Sequence, residues 1–396
     1  MFMEKTELRS TQFPVTGNVI YFNHAAVGPL SRDAYEAMER HARDQMEFGA
    51  LHWRDWYGEY AKFRELAARL IGATPGEISV LKNTSEGLSF VAEGFRWKEG
   101  DNVITTDLEF PSNAIPWRKL ERRGVECRIV RSSDGAWSAE DVERLIDART
   151  RILSVSSAAF HNGFAPDLDE LGALCETKGV LLCVDAIQTL GATRLDVKRA
   201  KITFLAADGH KWLLGPEGTA IFFCAEDARD LLEIREHGWL NVDRRGKFLD
   251  SPMDLFDDGR RFEAGSLNTN GIYGLRAALS LFEQIGVEEV EAEVLRLATL
   301  LADRLESAAY RLATPRPIRS GIVSIYPQDV DSTRPELAHR LEIGHVTPTV
   351  GMLHRTLEAE GIVCAPREGL LRFSPHFYND EAEIERVVEL LSGKRA

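Results

Sequence analysis

Short apolar runs and amphipathic stretches take turns along the N-terminal two-thirds of the chain. Ile78–Leu81, Asn102–Thr105, Glu126–Val130, Arg151–Ser156, Val180–Val184, Ile202–Ala207 and Gly218–Cys224 read as strands. Val180–Val184 is apolar at every position, which suits a strand buried on both faces of a parallel sheet. Helical patterns lie between and before them. Ser31 is a good N-cap for a helix with apolar positions at Ala34, Tyr35, Met38, Ala42 and Met46, closed near Gly49. Another runs from about Trp53 to Ile71 and stops at Gly72, and others begin at Leu88, after Pro111, over Ala139–Ala148 and near Leu168–Lys178. This βα alternation predicts an α/β fold with a doubly wound, mostly parallel sheet. The stretches Glu226–Asp258 and Arg261–Asn270 read as loops.

From Ile272 the pattern changes. Long helices over Ile272–Ile285 and about Val287–Tyr310 are followed by a strand at Gly321–Ile325 and a helical piece ending near Glu360. A strand at Leu370–Ser374 and a last helix from Asp380 complete the chain. We expect a large domain over residues 14–270, a small α+β C-terminal domain over 271–396, and an N-terminal arm, 1–13, joined to the small domain.

Composition narrows the function. A net charge of −14 argues against a general nucleic-acid binder or a basic membrane-surface protein. The five cysteines are scattered, with no C-x-x-C pair, which is a reduced, cytoplasmic pattern and neither a disulfide framework nor a zinc or other metal site. No signal peptide and no apolar run long enough to cross a bilayer is visible.

The chemistry gathers where strands end. The run Val180–Val184 ends on Asp185, Gln188 follows, and His210-Lys211 comes after the Ile202–Ala207 stretch. In parallel sheets ligands bind beyond the carboxyl ends of the strands. An acid there with a lysine on a nearby loop suits pyridoxal 5'-phosphate (PLP): the lysine forms a Schiff base and the carboxylate keeps the pyridine nitrogen protonated. Thr84 and Ser85, between the Ile78–Leu81 strand and a helix, make an anion site with backbone N–H donors. Plain capping by Asn83 or Thr84 explains that segment equally well.

In this order and context the chain resembles the class V aminotransferase group of fold type I PLP-dependent enzymes, which includes cysteine desulfurases, selenocysteine lyases and isopenicillin N epimerase-like proteins. The resemblance runs from YFNHAAVGPL (Tyr21–Leu30) to LLRFSPHFYND (Leu370–Asp380), with VDAIQTLG (Val184–Gly191), DGHKWLLGPEG (Asp208–Gly218) and FEAGSLNTNG (Phe262–Gly271) as its most specific pieces. It implies Lys211 as the Schiff-base lysine and proton shuttle at Cα, working through an aldimine and a quinonoid. Asp185 would pair with the ring nitrogen and Gln188 with the ring hydroxyl. Thr84, Ser85 and His210 would hold the phosphate. Phe110 stands where desulfurases stack a histidine, and Arg372 matches the arginine for the substrate carboxylate. Ser266 would reach the phosphate of a neighbouring subunit, which implies a homodimer with shared sites. Asn23 and His24 are candidates for the substrate mouth, and His161 is a weaker one.

Two departures stand out. Asp208 sits where many desulfurases have Ser or Thr, and we expect it to orient a neighbour instead of binding phosphate. The span GIVCAPREGLLR (Gly361–Arg372) leaves little room for a mobile loop carrying a nucleophilic cysteine. The expected activity is therefore that of a class V aminotransferase-like transferase or lyase on an amino acid or small amine. A desulfurase, selenocysteine lyase or epimerase is the alternative. A protein that keeps the fold as a binding or regulatory module is a further one, against which the intact Asp185–Gln188–Lys211 set argues.

Overall fold

A computed structural model describes residues 5–243, 254–327 and 348–392. The ends of the expected arm and small domain, parts of the 226–258 loop region, and the start of the helical piece before Glu360 lie outside the described residues. In chain order the helices are α1 Lys5–Gln12, α2 Arg32–Phe48, α3 Trp53–Ile71, α4 Thr84–Gly94, α5 Ile115–Lys119, α6 Ala139–Glu143, α7 Leu168–Lys178, α8 Thr269–Ile285, α9 Val287–Ser307, α10 Pro348–Ala359 and α11 Glu381–Leu391. The strands are β1 Ile20–Tyr21, β2 Ile78–Leu81, β3 Asn102–Thr106, β4 Glu126–Val130, β5 Thr150–Ser156, β6 Leu181–Asp185, β7 Phe204–Asp208, β8 Ala220–Cys224, β9 Val323–Ile325, β10 Ile362–Val363, β11 Ala365–Arg367 and β12 Leu370–Phe373.

The architecture is α/β, with a large layer built on a mostly parallel sheet and a smaller α+β part. The seven-stranded sheet has the order β2-β8-β7-β6-β5-β3-β4, and β8 alone runs against its neighbours. Its central strands are buried along nearly their whole length, as their apolar runs demand. A three-stranded antiparallel sheet, β11-β12-β9, forms the core of the smaller part. In α9, Val290 and Val294 join the large core, whereas Leu297, Leu301 and Leu305 join the small one. We therefore propose that the boundary between the domains is bridged by this helix.

Local signals set the ends of the elements. Ser31 Oγ accepts the Ala34 N–H at 3.3 Å and caps α2, and Gly72 closes α3 in the left-handed region at φ 70°. The face of α2 differs from the expected one. Ala34, Ala37 and His41 are its buried residues, while Tyr35 and Met46 are exposed. The rotation follows from packing on α8, where Asn270 Nδ2 reaches the Met38 carbonyl at 2.9 Å and His41 Nδ1 at 3.2 Å. The N-terminal segment makes contacts with residues near α11. Arg9 pairs with Glu383 at 2.9 Å and Asp380 at 2.5 Å, and Phe13 stacks on Tyr378 with ring centroids 3.9 Å apart.

Candidate active site

Strands β5, β6 and β7 bring Ser156, Asp185 and Ala206 level with one another at their carboxyl ends. Strand β2 points the same way, because both it and β7 run against β8. The loop after β7 carries Lys211, and the N-terminal segment crosses over it. The Gly28 N–H donates to the His210 carbonyl at 2.6 Å. A Cβ on Gly28 would lie 2.1 Å from the Lys211 carbonyl oxygen, so a side chain there would push the two segments apart.

The polar groups at these strand ends are held in place by a few specific bonds. Asp185 is buried, and its Oδ1 accepts the Ile187 N–H at 3.1 Å. Burial pushes its pKa up to about 6, against the pull of that N–H and of the Lys211 charge. Burial pushes Lys211 down to about 8, helped by the charge of Arg372 and opposed by Asp185 and Asp208. A lysine so depressed has a ready supply of the neutral, nucleophilic amine. Gln188 is buried, with Oε1 accepting Trp212 Nε1 at 3.1 Å and Nε2 donating to the Ala25 carbonyl at 3.1 Å. One amide N–H is left over for a ligand.

At the start of α4 both readings of the sequence hold together. Asn83 Oδ1 accepts the Glu86 N–H at 3.0 Å and is the cap. Thr84 Oγ1 accepts the Asp208 N–H at 2.9 Å, which leaves its own hydroxyl proton to give. Ser85 is exposed and shares a 2.7 Å hydrogen bond with Ser112. His210 Nδ1 lies 3.1 Å from Asp208 Oδ1, yet the approach is not that of a hydrogen bond and both atoms are buried without one. Asp208 thus faces His210.

Phe110 lies above Lys211, whose Nζ is 5.7 Å from the ring centroid, and it meets Phe160 edge-on at 5.1 Å. Arg372, on β12, is fully buried. Its Nη1 donates to the Phe160 carbonyl at 2.6 Å and its Nη2 to Asn23 Oδ1 at 3.4 Å, while Nε has no partner. Burial and the nearby Arg367 charge push its pKa down to about 9. A guanidinium buried without a carboxylate is costly, and a bidentate anion removes that cost. Arg367 shares this face of the sheet: Ala365 pairs with Arg372 across the ladder, and Arg367 lies two residues further on.

His24 and Ser266 are placed differently from the expectation, and His161 lies near Arg372. His24, expected at the substrate mouth, is fully buried, with Nδ1 against the Ser374 carbonyl at 2.8 Å and Nε2 against Tyr378 Oη at 2.6 Å. Both nitrogens are committed and burial pushes its pKa well down, so it links the N-terminal segment to Ser374 and Tyr378 as a neutral ring. Ser266 is exposed, in a groove with Lys82, Glu86 and Gly218. His161 neighbours Phe160 in sequence and has a buried Nδ1 without a partner; burial and the Arg372 charge push its pKa to about 4.

Sequence reasoning missed Glu109, Phe160 and Arg367. Glu109 follows β3 as Asp185 ends β6, so an acid after a strand was the available signal. Burial pushes its pKa up to about 7, with its Ser156 and Asn113 donors pulling it down and the Asp185 charge pushing it up.

Buried polar atoms without partners include Asp208 Oδ1, His210 Nδ1, His161 Nδ1 and Arg372 Nε, all on residues of this cluster. Native interiors leave few such atoms, and the Arg372 Nε and His210 Nδ1 among them could serve a polar, anionic ligand. A phosphate beside Thr84 and His210, a ring between Asp185 and Phe110, and a carboxylate at Arg372 fit the residues present.

The protein is 30% identical, over 99% of its length and 98% of the relative's, to a probable cysteine desulfurase of Methanothermobacter thermautotrophicus. It is 28% identical to an uncharacterized aminotransferase of Bacillus subtilis, over 89% of this chain and 88% of that one. Its structure superimposes on an apo cysteine desulfurase from Thermococcus onnurineus with a TM-score of 0.85 and 25% identity, covering 99% of this chain and 98% of the other. The model of the Aminotransferase class-V family matches residues 20–387, and the chain belongs to that PLP-dependent family.

Proposed function

We propose that this class V enzyme is a PLP-dependent lyase that removes sulfur from the β-carbon of a cysteine-type amino acid without storing it on one of its own cysteines. The carrying observation is the β11–β12 hairpin and the residue that precedes it. Arg372 stands on its site face, and Cys364 on the other, packed among Phe22, Ile362, Leu371 and Phe373. Burial pushes the Cys364 thiol up to about 12, far from the exposed thiolate that a sulfur acceptor needs.

When bound, PLP supplies an electron sink for bond-breaking at the substrate Cα. The residues of the chain do the rest. Arg372 and Asn23 orient the substrate carboxylate, and the free Lys211 amine takes the Cα proton. Asp185 holds a proton on the ring nitrogen, Gln188 donates to the ring hydroxyl, and Thr84, Ser85 and His210 hold the phosphate. Phe110 covers the ring and keeps water out. For cysteine the balanced outcome is sulfide, pyruvate and ammonia from one water. The test is a product screen of the holoenzyme with cysteine, cystine, selenocysteine and alanine. Sulfide and pyruvate in equal amounts support the reading. A keto acid made only with an amino acceptor, or an inverted enantiomer, contradicts it.

The 30% identity to a probable cysteine desulfurase favours a second reading, in which cysteine becomes alanine and the sulfur passes to an enzyme thiol. Cys364→Ser separates the two. We expect the folded variant to keep sulfide release within about twofold, at a stability cost of roughly 1–3 kcal/mol for a buried hydroxyl. Mass spectrometry should find no persulfide at position 364. A persulfide there, with alanine as the product, reverses the choice.

We also propose a cytoplasmic homodimer with composite sites. The exposed Ser266 loop and the exposed apolar residues Phe48, Leu51, Trp53 and Tyr57 suit a subunit contact. Lys211→Ala and Ser266→Trp should each be inactive. After mixing and reassembly, about a quarter of the activity should return, because half of the dimers then carry one intact site in two. No recovery, or an active monomer, contradicts shared sites.

A further inference from the structure

Glu109 stands one residue before Phe110, and the catalytic reading leaves it unused. Its carboxylate is a four-point staple. Oε1 accepts the Ser156 N–H at 2.9 Å and Thr106 Oγ1 at 3.0 Å. Oε2 accepts Asn113 Nδ2 at 2.7 Å and Ser156 Oγ at 2.5 Å. The Asn113 amide cannot turn round, because its Oδ1 already accepts Trp117 Nε1 at 2.9 Å and Ser154 Oγ at 2.6 Å. Each carboxylate oxygen therefore faces a donor that cannot become an acceptor: a backbone N–H on one side and a fixed amide on the other.

The staple joins the end of β5 to the loop that carries Phe110 between β3 and α5. Phe110 needs such an anchor. Its side chain is 39% exposed, and among the described residues its ring meets one other ring, that of Phe160. Packing alone leaves a half-exposed ring free to turn. We propose that Glu109 is a positioning residue that fixes Phe110 over Lys211, a role that rests on the reading of Phe110 as the cover of the cofactor ring. Glutamine cannot replace it. Whichever way its amide is turned, the NH₂ meets the Ser156 N–H or the Asn113 NH₂, and one donor is left buried and unpaired.

The test uses PLP-loaded enzyme and three variants: Glu109→Gln, Phe110→Ala and the double variant. Visible circular dichroism reports the setting of the bound PLP, and far-ultraviolet dichroism reports the fold. We expect Glu109→Gln to reduce kcat about tenfold, alter the visible dichroism and leave KM and the far-ultraviolet spectrum nearly unchanged. In the Phe110→Ala background the same change should cost little more, because its route of action is already gone. Equal fold losses in both backgrounds would overturn the proposal, as would unchanged kcat and visible dichroism in Glu109→Gln. Should Glu109→Gln not fold, Ser156→Ala serves, since it removes one donor and keeps the carboxylate. The expectation is then a smaller loss with the same dependence on Phe110, and independence from Phe110 overturns the proposal. Absence of any cofactor band in the unsubstituted protein is the separate failure of the wider reading, and it takes this proposal with it.

Discussion

Lys211→Ala should leave a folded protein with turnover reduced on the order of 10⁴-fold. On the proposed reading two jobs are lost together: the covalent hold on the cofactor and the base at the substrate Cα. The fold should survive, because a depressed pKa of about 8 shows that the Lys211 ammonium is poorly served by its surroundings and alanine removes that cost. The same depression sets a pH dependence. Attachment of PLP needs the neutral amine, so in unsubstituted apoenzyme its rate should rise as the pH climbs towards about 8 and level off above it. A rate flat from neutral pH to well above that value would contradict the assignment.

Asp185→Asn should keep a measurable affinity for PLP and lose turnover on the order of 10³-fold. The phosphate and ring-face contacts proposed for Thr84, His210 and Phe110 do not involve Asp185, so binding should weaken without disappearing. What is lost is the charge proposed to hold a proton on the ring nitrogen. That charge is strong because it is buried: Oδ1 has one backbone donor, at 3.1 Å, and Oδ2 has none among the described residues. Burial raises the cofactor-free carboxyl to about 6, so a positive partner would favour its ionised form further. A bound pyridinium supplies that partner, and asparagine cannot return the favour. Near-normal kcat in the variant would remove Asp185 from the mechanism.

Much of this site was legible in the sequence, and the reason lies in where its residues sit. Asp185 ends a buried parallel strand, Thr84 opens a helix after one, and Lys211 follows another. Such positions are set by local pattern, and the topology brings strand ends together at one edge. What was not legible depends on contacts between distant segments. Glu109 gained its partners only when the loop after β3 met the end of β5. The burial of His24 follows from Tyr378 and Ser374, more than 300 residues away in the chain. The face of α2 was misread for a similar reason. Its cap is local, but its rotation is decided by α8. The helix expected over Ala139–Ala148 ends at Glu143, although its start at the Ser138 capping box is local and holds. Arg372 was singled out by its likeness to a family position, and the structure shows it as a buried fork with an unpaired Nε.

The measurement that bears most directly on this account is the site of cofactor attachment. Incubating the purified protein with PLP, reducing it with borohydride and mapping its peptides should place a single pyridoxyl group on Lys211, with loss of activity in proportion to labelling. A pyridoxyl group on any other lysine, or none on Lys211 in protein that retains bound PLP, would contradict the account.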